Sequence, residues 1–239
     1  MRPLPRLLPA VAVTVTGLAL ALAGCSTMAA AESRTTAPRT ASPSANRGHV
    51  APPGRQVIAA LGDSIMNGHG LQSGQDWPTL LADDRDETVY NVSCDGGGFV
   101  AVGDCGTDFA GLIPAALHEH PDIVVVQGSD NDHAQSESAL VAATTATVDE
   151  LHHEFPHARI LGINTLWNQP SAAPAEIAYS SAAVKQAVQG VGGTYIDIGQ
   201  PLAGHSDLVQ SDDEHPTATG QRVLLGDVEA ACDAAGFAL

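Results

Sequence analysis

Asp122-Ile123-Val124-Val125-Val126-Gln127-Gly128-Ser129-Asp130-Asn131-Asp132 sets four β-branched residues in a row, then a glycine and a run of turn-forming polar side chains. An unbroken β-branched run suits a strand covered on both faces, as in parallel sheets. Outward from it, strand patterns recur at 57–61, 88–92, 159–164 and 194–198, beside the central one at 122–127. Helical patterns lie at 77–84, 109–119, 136–155, 174–191 and 217–235. Strands alternating with helices imply right-handed crossovers and a parallel sheet. The expected fold is therefore α/β: a three-layer, doubly wound, flavodoxin-like domain on five parallel strands. Reactive groups in such sheets gather beyond the carboxyl ends of the strands. The residues just after each strand are thus the candidates for chemistry.

The domain predicted in this way spans residues 55–239, enough chain for one real core. Residues 1–24 read as a targeting segment. Arg2 and Arg6 precede an apolar run that ends in Leu22-Ala23-Gly24-Cys25. Leucine three before a cysteine and a small residue just before it resemble a bacterial lipobox, which implies a diacylglycerol on Cys25. An ordinary signal peptide cut near Ala29 to Ala31, giving a secreted protein, is the alternative. The run is short and broken for a membrane-spanning anchor. Residues 25–54 are rich in Ser, Thr, Ala and Pro and have almost no large apolar side chains, which predicts a disordered tether. The expected location is the outer face of the cell membrane.

The formal charge is −17, and losing Arg2 and Arg6 with the signal leaves the mature chain near −19. Phosphate binding needs clustered Lys and Arg, so nucleic acid is not an expected partner. Export permits disulfides. With Cys25 assigned to lipid, Cys94, Cys105 and Cys232 remain. Cys94 with Cys105 is the preferred pair, because the Gly-rich stretch between them turns easily; the other two pairings stay open. The histidine pairs His118/His120 and His152/His153 match no tight zinc spacing, so neither a metal nor another cofactor is expected.

Four short stretches carry chemistry. The first strand pattern ends in Leu61-Gly62-Asp63-Ser64-Ile65, which presents a serine at the sheet edge; read alone, the triplet is equally a helix cap. Near the C-terminus stands Asp212-Asp213-Glu214-His215-Pro216-Thr217. A serine hydroxyl needs a base, histidine suits that task near neutral pH, and a carboxylate must then hold the ring in one tautomer. Asp212, three residues before His215, reaches back around a turn; Asp213 is its rival. Asn91-Val92-Ser93-Cys94-Asp95-Gly96-Gly97-Gly98-Phe99 supplies a glycine backbone able to aim N–H groups at an oxyanion, and Asn131 offers a side-chain N–H.

Taken together and in this order, these stretches resemble the SGNH/GDSL serine hydrolases, named for Ser, Gly, Asn and His. Block one matches Gly62-Asp63-Ser64-Ile65, the block-two glycine matches Gly96, block three matches Asn131-Asp132, and block five matches Asp212 to Pro216. Ser129 stands where block three carries glycine. The stretch from Gly68-His69-Gly70-Leu71 to Trp77-Pro78 resembles bacterial thioesterase/lysophospholipase members. The resemblance implies an esterase with Ser64 as nucleophile, His215 as base and Asp212 as orienter. Ser64, Gly96 and Asn131 would form its oxyanion hole, and it would need no cofactor. His69, Phe99 and Trp167 are candidate pocket walls, and with few aromatic residues the expectation is small or short acyl esters of envelope or extracellular glycans or lipids, handled by a monomer. The rival expectations are an acyltransferase on the same residues and an inert ligand-binding lipoprotein.

Overall fold

The computed structural model describes residues 55–239. The expected signal peptide, the tether and Cys25 lie outside the described residues. Five strands form one sheet: β1 (Val57–Leu61), β2 (Thr88–Asn91), β3 (Ile123–Gln127), β4 (Arg159–Ile163) and β5 (Thr194–Ile196). Their order is β2-β1-β3-β4-β5, and every pairing is parallel. From β1, beside the middle of the sheet, the described chain runs to one edge, then crosses back over β1 to build the other half. The order therefore reverses between β1 and β3, and doubly wound sheets bind ligands at that crevice.

Side chains of each strand point alternately to the two faces. Ile58, Ala60, Ile123 and Val125 face one core with Trp77 and Leu81 of α2 (Trp77–Arg85) and Leu224 and Val228 of α6 (Ala218–Ala235). Ala59, Leu61, Val124 and Val126 face the other core, with Ile113 of α3 (Ile113–Leu117), Val148 and Leu151 of α4 (Glu137–Glu154) and Val184 and Val188 of α5 (Ala175–Gly190). Both central strands are buried at every position, which is why β3 tolerates no polar residue before Gln127.

The helices start where the sequence supplies caps. Asp76, Ser136 and Thr217 each accept the N–H three residues on, at the starts of α2, α4 and α6. Two departures from the sequence pattern are local. The helix expected over 109–119 is a 3-10 turn at Ala110–Leu112 followed by the short α3. Pro114 has no N–H for an ongoing ladder and so sits at a helix start. The edge strands β2 and β5 stop short, at Asn91 and Ile196. Among the described residues, no helix is long and apolar enough to cross a membrane.

Candidate active site

The turn after β1 begins the site. Asp63 caps a single helical turn, α1 (Ser64–Asn67), its Oδ1 accepting from the Ile65 N–H at 2.9 Å. The sequence offered capping and nucleophile as competing readings of Gly-Asp-Ser; the structure shows Asp63 capping the turn that carries Ser64. Ser64 takes the first helical position, where an N–H has no partner within the helix. Among the described residues its N–H meets no protein acceptor. Buried Gln221 of α6 locks the turn from below, donating to the Ile65 carbonyl at 2.7 Å and accepting from the Trp77 N–H at 3.0 Å.

His215 arrives on the loop between β5 and α6. An antiparallel bridge from Val209 to Pro216 and bonds from Gln210 N–H to the His215 carbonyl (2.7 Å) and Thr217 N–H to the Leu208 carbonyl (2.8 Å) fold this loop tightly. The ring then lies between two partners. Its Nε2 is 2.9 Å from Ser64 Oγ, and its Nδ1 is 2.8 Å from Asp212 Oδ2. Asp212 Oδ1 also accepts from the backbone N–H groups of Glu214 (3.1 Å) and His215 (3.0 Å). Burial pulls the Asp212 carboxyl upward, but these bonds and the His215 charge outweigh it and bring it down to about 2. An ionised Asp212 can take the Nδ1–H, and in that tautomer Nε2 can accept from the serine hydroxyl. Asp213 adopts φ 62° and its N–H donates to the Gln210 carbonyl, so it serves the turn.

The Gly-rich loop after β2 packs against the exit of β3. Cys94 and Cys105 are joined by a disulfide, and Cys232 is a buried free thiol. Gly96 holds φ +70°, a conformation side chains rarely adopt. Its N–H, like that of Ser64, meets no protein acceptor among the described residues. Asp132 anchors the far end of the loop, accepting from the N–H groups of Phe99 (2.7 Å), Val100 (3.1 Å) and Ala101 (2.8 Å). That closeness excludes a side chain at Gly98, where a Cβ would fall 2.5 Å from Asp132 Oδ1. Ser129 is fully buried and fastens the other side, its hydroxyl donating to the Gly97 carbonyl at 2.7 Å. Asn131 Nδ2 lies 3.1 Å from that same carbonyl and 3.0 Å from Ser129 Oγ.

The expected pocket walls separate. His69 stacks on His215 with ring centroids 4.4 Å apart. Phe99 does not wall the site: it is 2 % exposed and packs edge-to-face on Phe109 in the core, because Asp132 pins its backbone and turns the ring inward. Trp167 is largely buried, its indole N–H donating to the Ser171 carbonyl at 2.9 Å and its ring edge-on to His133. Asn168 donates to the Glu214 carbonyl at 2.9 Å. It also lines a hollow of about 200 Å³ together with Pro170, Leu202, His205, Val209 and Asp213.

Sequence reasoning missed Asp130. Both of its carboxylate oxygens are buried without a hydrogen-bond partner, and Asp63 Oδ2 is in the same state. Burial lifts both groups, Asp63 to about 6 and Asp130 to about 8, the latter also through the Asp63 and Glu214 charges. The signal was present as three acidic or amide residues in a row after a buried strand, but turn chemistry explains such a run equally well. Among the described residues no group of three His, Cys, Asp or Glu side chains is arranged to hold a metal ion.

The model of the GDSL-like lipase/acylhydrolase family matches residues 60–223. No curated protein matches the sequence. Among solved structures, TesA is similar at 24% identity with a TM-score of 0.60, covering 75% of this chain and 99% of its own. The psychrotrophic esterase EstA from Pseudoalteromonas sp., inhibited by monoethylphosphonate, is similar at 20% identity and TM-score 0.61, covering 75% and 97%. A family two carbohydrate esterase from Clostridium thermocellum, solved with cellohexaose, is similar at 16% identity and TM-score 0.60, covering 77% and 66%. At such identities these are likenesses of fold.

Proposed function

Because the chain belongs to the GDSL-like lipase/acylhydrolase family, and with it to the carboxylic ester hydrolases, we propose that it cleaves short acyl esters through Ser64, His215 and Asp212. The observation that carries this reading is the unbroken relay from Ser64 Oγ through both ring nitrogens of His215 to Asp212, at 2.9 and 2.8 Å. Ser64 Oγ attacks the ester carbonyl while His215 Nε2 takes its proton. The imidazolium faces ionised Asp212 and returns the proton to the departing alkoxide, leaving an acyl-enzyme. Water then attacks the acyl carbon with His215 again as base, and the carboxylic acid leaves as Ser64 is restored. The free N–H groups of Ser64 and Gly96 supply the oxyanion contacts, and Asn131 adds its amide by releasing the Gly97 carbonyl.

Substrate class rests on composition and place. The chain carries few aromatic side chains, which favours acetyl-like or other short acyl groups over long lipid tails. The Cys94–Cys105 disulfide supports an oxidising compartment. With Cys25 lipidated, the domain would work from a membrane anchor on acyl groups of envelope or extracellular glycans. The carbohydrate esterase among the structural neighbours is in keeping with such a target. The test pairs fluorophosphonate labelling with p-nitrophenyl esters of rising chain length, in wild type and Ser64→Ala. Wild type is expected to label and to prefer two- to four-carbon acyl groups (about that length), and Ser64→Ala to lose both activities while keeping its fold. Labelling of Ser64→Ala at the wild-type level overturns the reading. Lipid labelling that survives Cys25→Ser overturns the anchor alone.

A further inference from the structure

A second imidazole–carboxylate pair stands beside the first. His69, two residues beyond α1, stacks on His215 with planes tilted by 40°. Its Nδ1 meets Asp95 Oδ2 at 2.5 Å, and the other oxygen of Asp95 accepts from Asn67 Nδ2 at 2.7 Å. Asp95 directly precedes Gly96, and its carbonyl accepts from the Asp104 N–H at 2.8 Å, beside the disulfide. Gln210 Nε2 donates to the His69 carbonyl at 2.7 Å, while the Gln210 N–H holds the His215 carbonyl. One carboxylate thus ties the Gly-rich loop to the serine's own helical turn, and one ring ties both to the histidine loop.

We infer that Asp95 and His69 are positioning residues, a clamp that fixes the Gly96 N–H relative to Ser64 and braces one face of the His215 ring. The inference rests on the proposed roles of Ser64, His215 and Gly96. An oxyanion donor acts chiefly in the transition state, so loosening it lowers kcat and leaves KM almost unchanged. A role in folding alone would not produce that split. The clamp also titrates. The Asp95 hydrogen bond holds His69 above the ordinary imidazole range; partial burial opposes this, and the charges of Asp95, Asp212 and Asp104 reinforce it. His215 is the remaining titratable group facing it. Each turnover makes His215 an imidazolium, so a charge on His69 at this separation opposes catalysis. His69 therefore adds a second ionisation to the acid side of the rate profile.

The experiment measures kcat and KM across pH on one short-chain ester for Asp95→Ala, Asp95→Asn, His69→Ala and His69→Phe, with Ser64→Ala alongside and circular dichroism to check folding. Asp95→Ala is expected to lower kcat about 10- to 100-fold, as displacement of a reacting contact by about 1 Å does, with KM changed less than about threefold. His69→Ala should follow it. His69→Phe keeps the stack and loses the charge, so its acid limb should show one ionisation in place of two. If Asp95→Ala does not fold, Asp95→Asn carries the same test, with kcat lowered about 3- to 10-fold. Wild-type kcat in the folded Asp95 variant, with an unchanged acid limb in His69→Phe and a dead Ser64→Ala, overturns the clamp and leaves the proposed function standing. A fully active Ser64→Ala overturns the proposed function, and the clamp falls with it.

Discussion

On the loop before α6, Asp212 keeps nearly half of its side chain in solvent, yet its oxygens accept three hydrogen bonds. At the exit of β3, Asp130 is 3 % exposed and neither of its oxygens meets a donor. The exposed carboxyl is held down to about 2, and the buried one is pushed up to about 8. Asp132, two residues from Asp130 on the same 3-10 turn, is raised as well, but it meets donors. Burial raises it, and three backbone N–H groups offset part of that rise. The three differ in the donors that local backbone geometry delivers. A turn that folds back on its own carboxylate, as at Asp212, supplies them; a buried strand exit within the field of other carboxylates, as at Asp130, does not. The contrast separates a carboxylate suited to stay charged beside an imidazole from one that keeps its proton.

The sharpest test of that contrast exchanges charge for shape at the exposed end. His215→Ala should abolish turnover as completely as Ser64→Ala, since the proposed base and nucleophile would act as one unit. Asp212→Asn should lower kcat/KM by roughly 100- to 10,000-fold, because an amide can present its NH2 to the ring and favour the wrong tautomer. Asp213→Asn should stay within about twofold, since asparagine tolerates the left-handed backbone found there. A larger loss from Asp213→Asn than from Asp212→Asn would move the orienting role to Asp213. Because Asp212 is held down to about 2, kcat/KM should show no titration of Asp212 itself above about pH 3.

Asp132 should show the next effect, on stability first. Asp132→Ala strands the N–H groups of Phe99, Val100 and Ala101, one of them buried. The expected loss is about 2–4 kcal/mol, a fall in melting temperature on the order of 5–12 °C for a domain of this size. Thermal melts at pH 7 decide it. A melt within about 2 °C of wild type would mean that the Gly-rich loop is held by Ser129 and the disulfide instead.

These residues also mark how far the sequence could be read. The layer order and the parallel sheet were legible because Ile123 to Val126 and Val57 to Leu61 are hydrophobic at every position, a pattern that needs no knowledge of partners. Ser64, Asp212 and His215 were legible as a set because each falls where a doubly wound sheet exposes side chains, and Pro216 fixes the last of them before α6. What stayed hidden depends on contacts across long sequence separations. Gln221 reaches Ile65 over 156 positions, Asp132 reaches Phe99 over 33, and Ser129 reaches Gly97 over 32. Local composition makes each an ordinary polar residue in a turn or helix. Phe99 was misjudged for the same reason, since only the Asp132 anchor shows which way its ring faces.

The smallest expected effect lies at the buried end of the comparison, and its sign is unusual for an aspartate. A carboxyl raised in the folded state binds its proton more tightly there than in the unfolded chain. Between the unfolded value near 3.8 and the folded value near 8, the native state thus carries the extra proton, and stability falls as pH rises through that window. Asp63, raised to about 6, adds to the same slope over its lower part. Asp130→Asn removes the ionisation and keeps the shape, and its amide brings a donor to a place where buried carboxylate oxygens have none. The variant should therefore melt higher than wild type at pH 8, by about 1–2 kcal/mol or roughly 3–6 °C, and the two should converge only below about pH 3, where Asp130 is protonated in both states. Asp63 carries the cap of the turn that holds Ser64, so kcat/KM at pH 8 should hold or rise in Asp130→Asn. A variant less stable than wild type at pH 8 would show that the Asp130 charge meets donors in the folded protein, and the contrast with Asp212 would collapse to a difference in exposure.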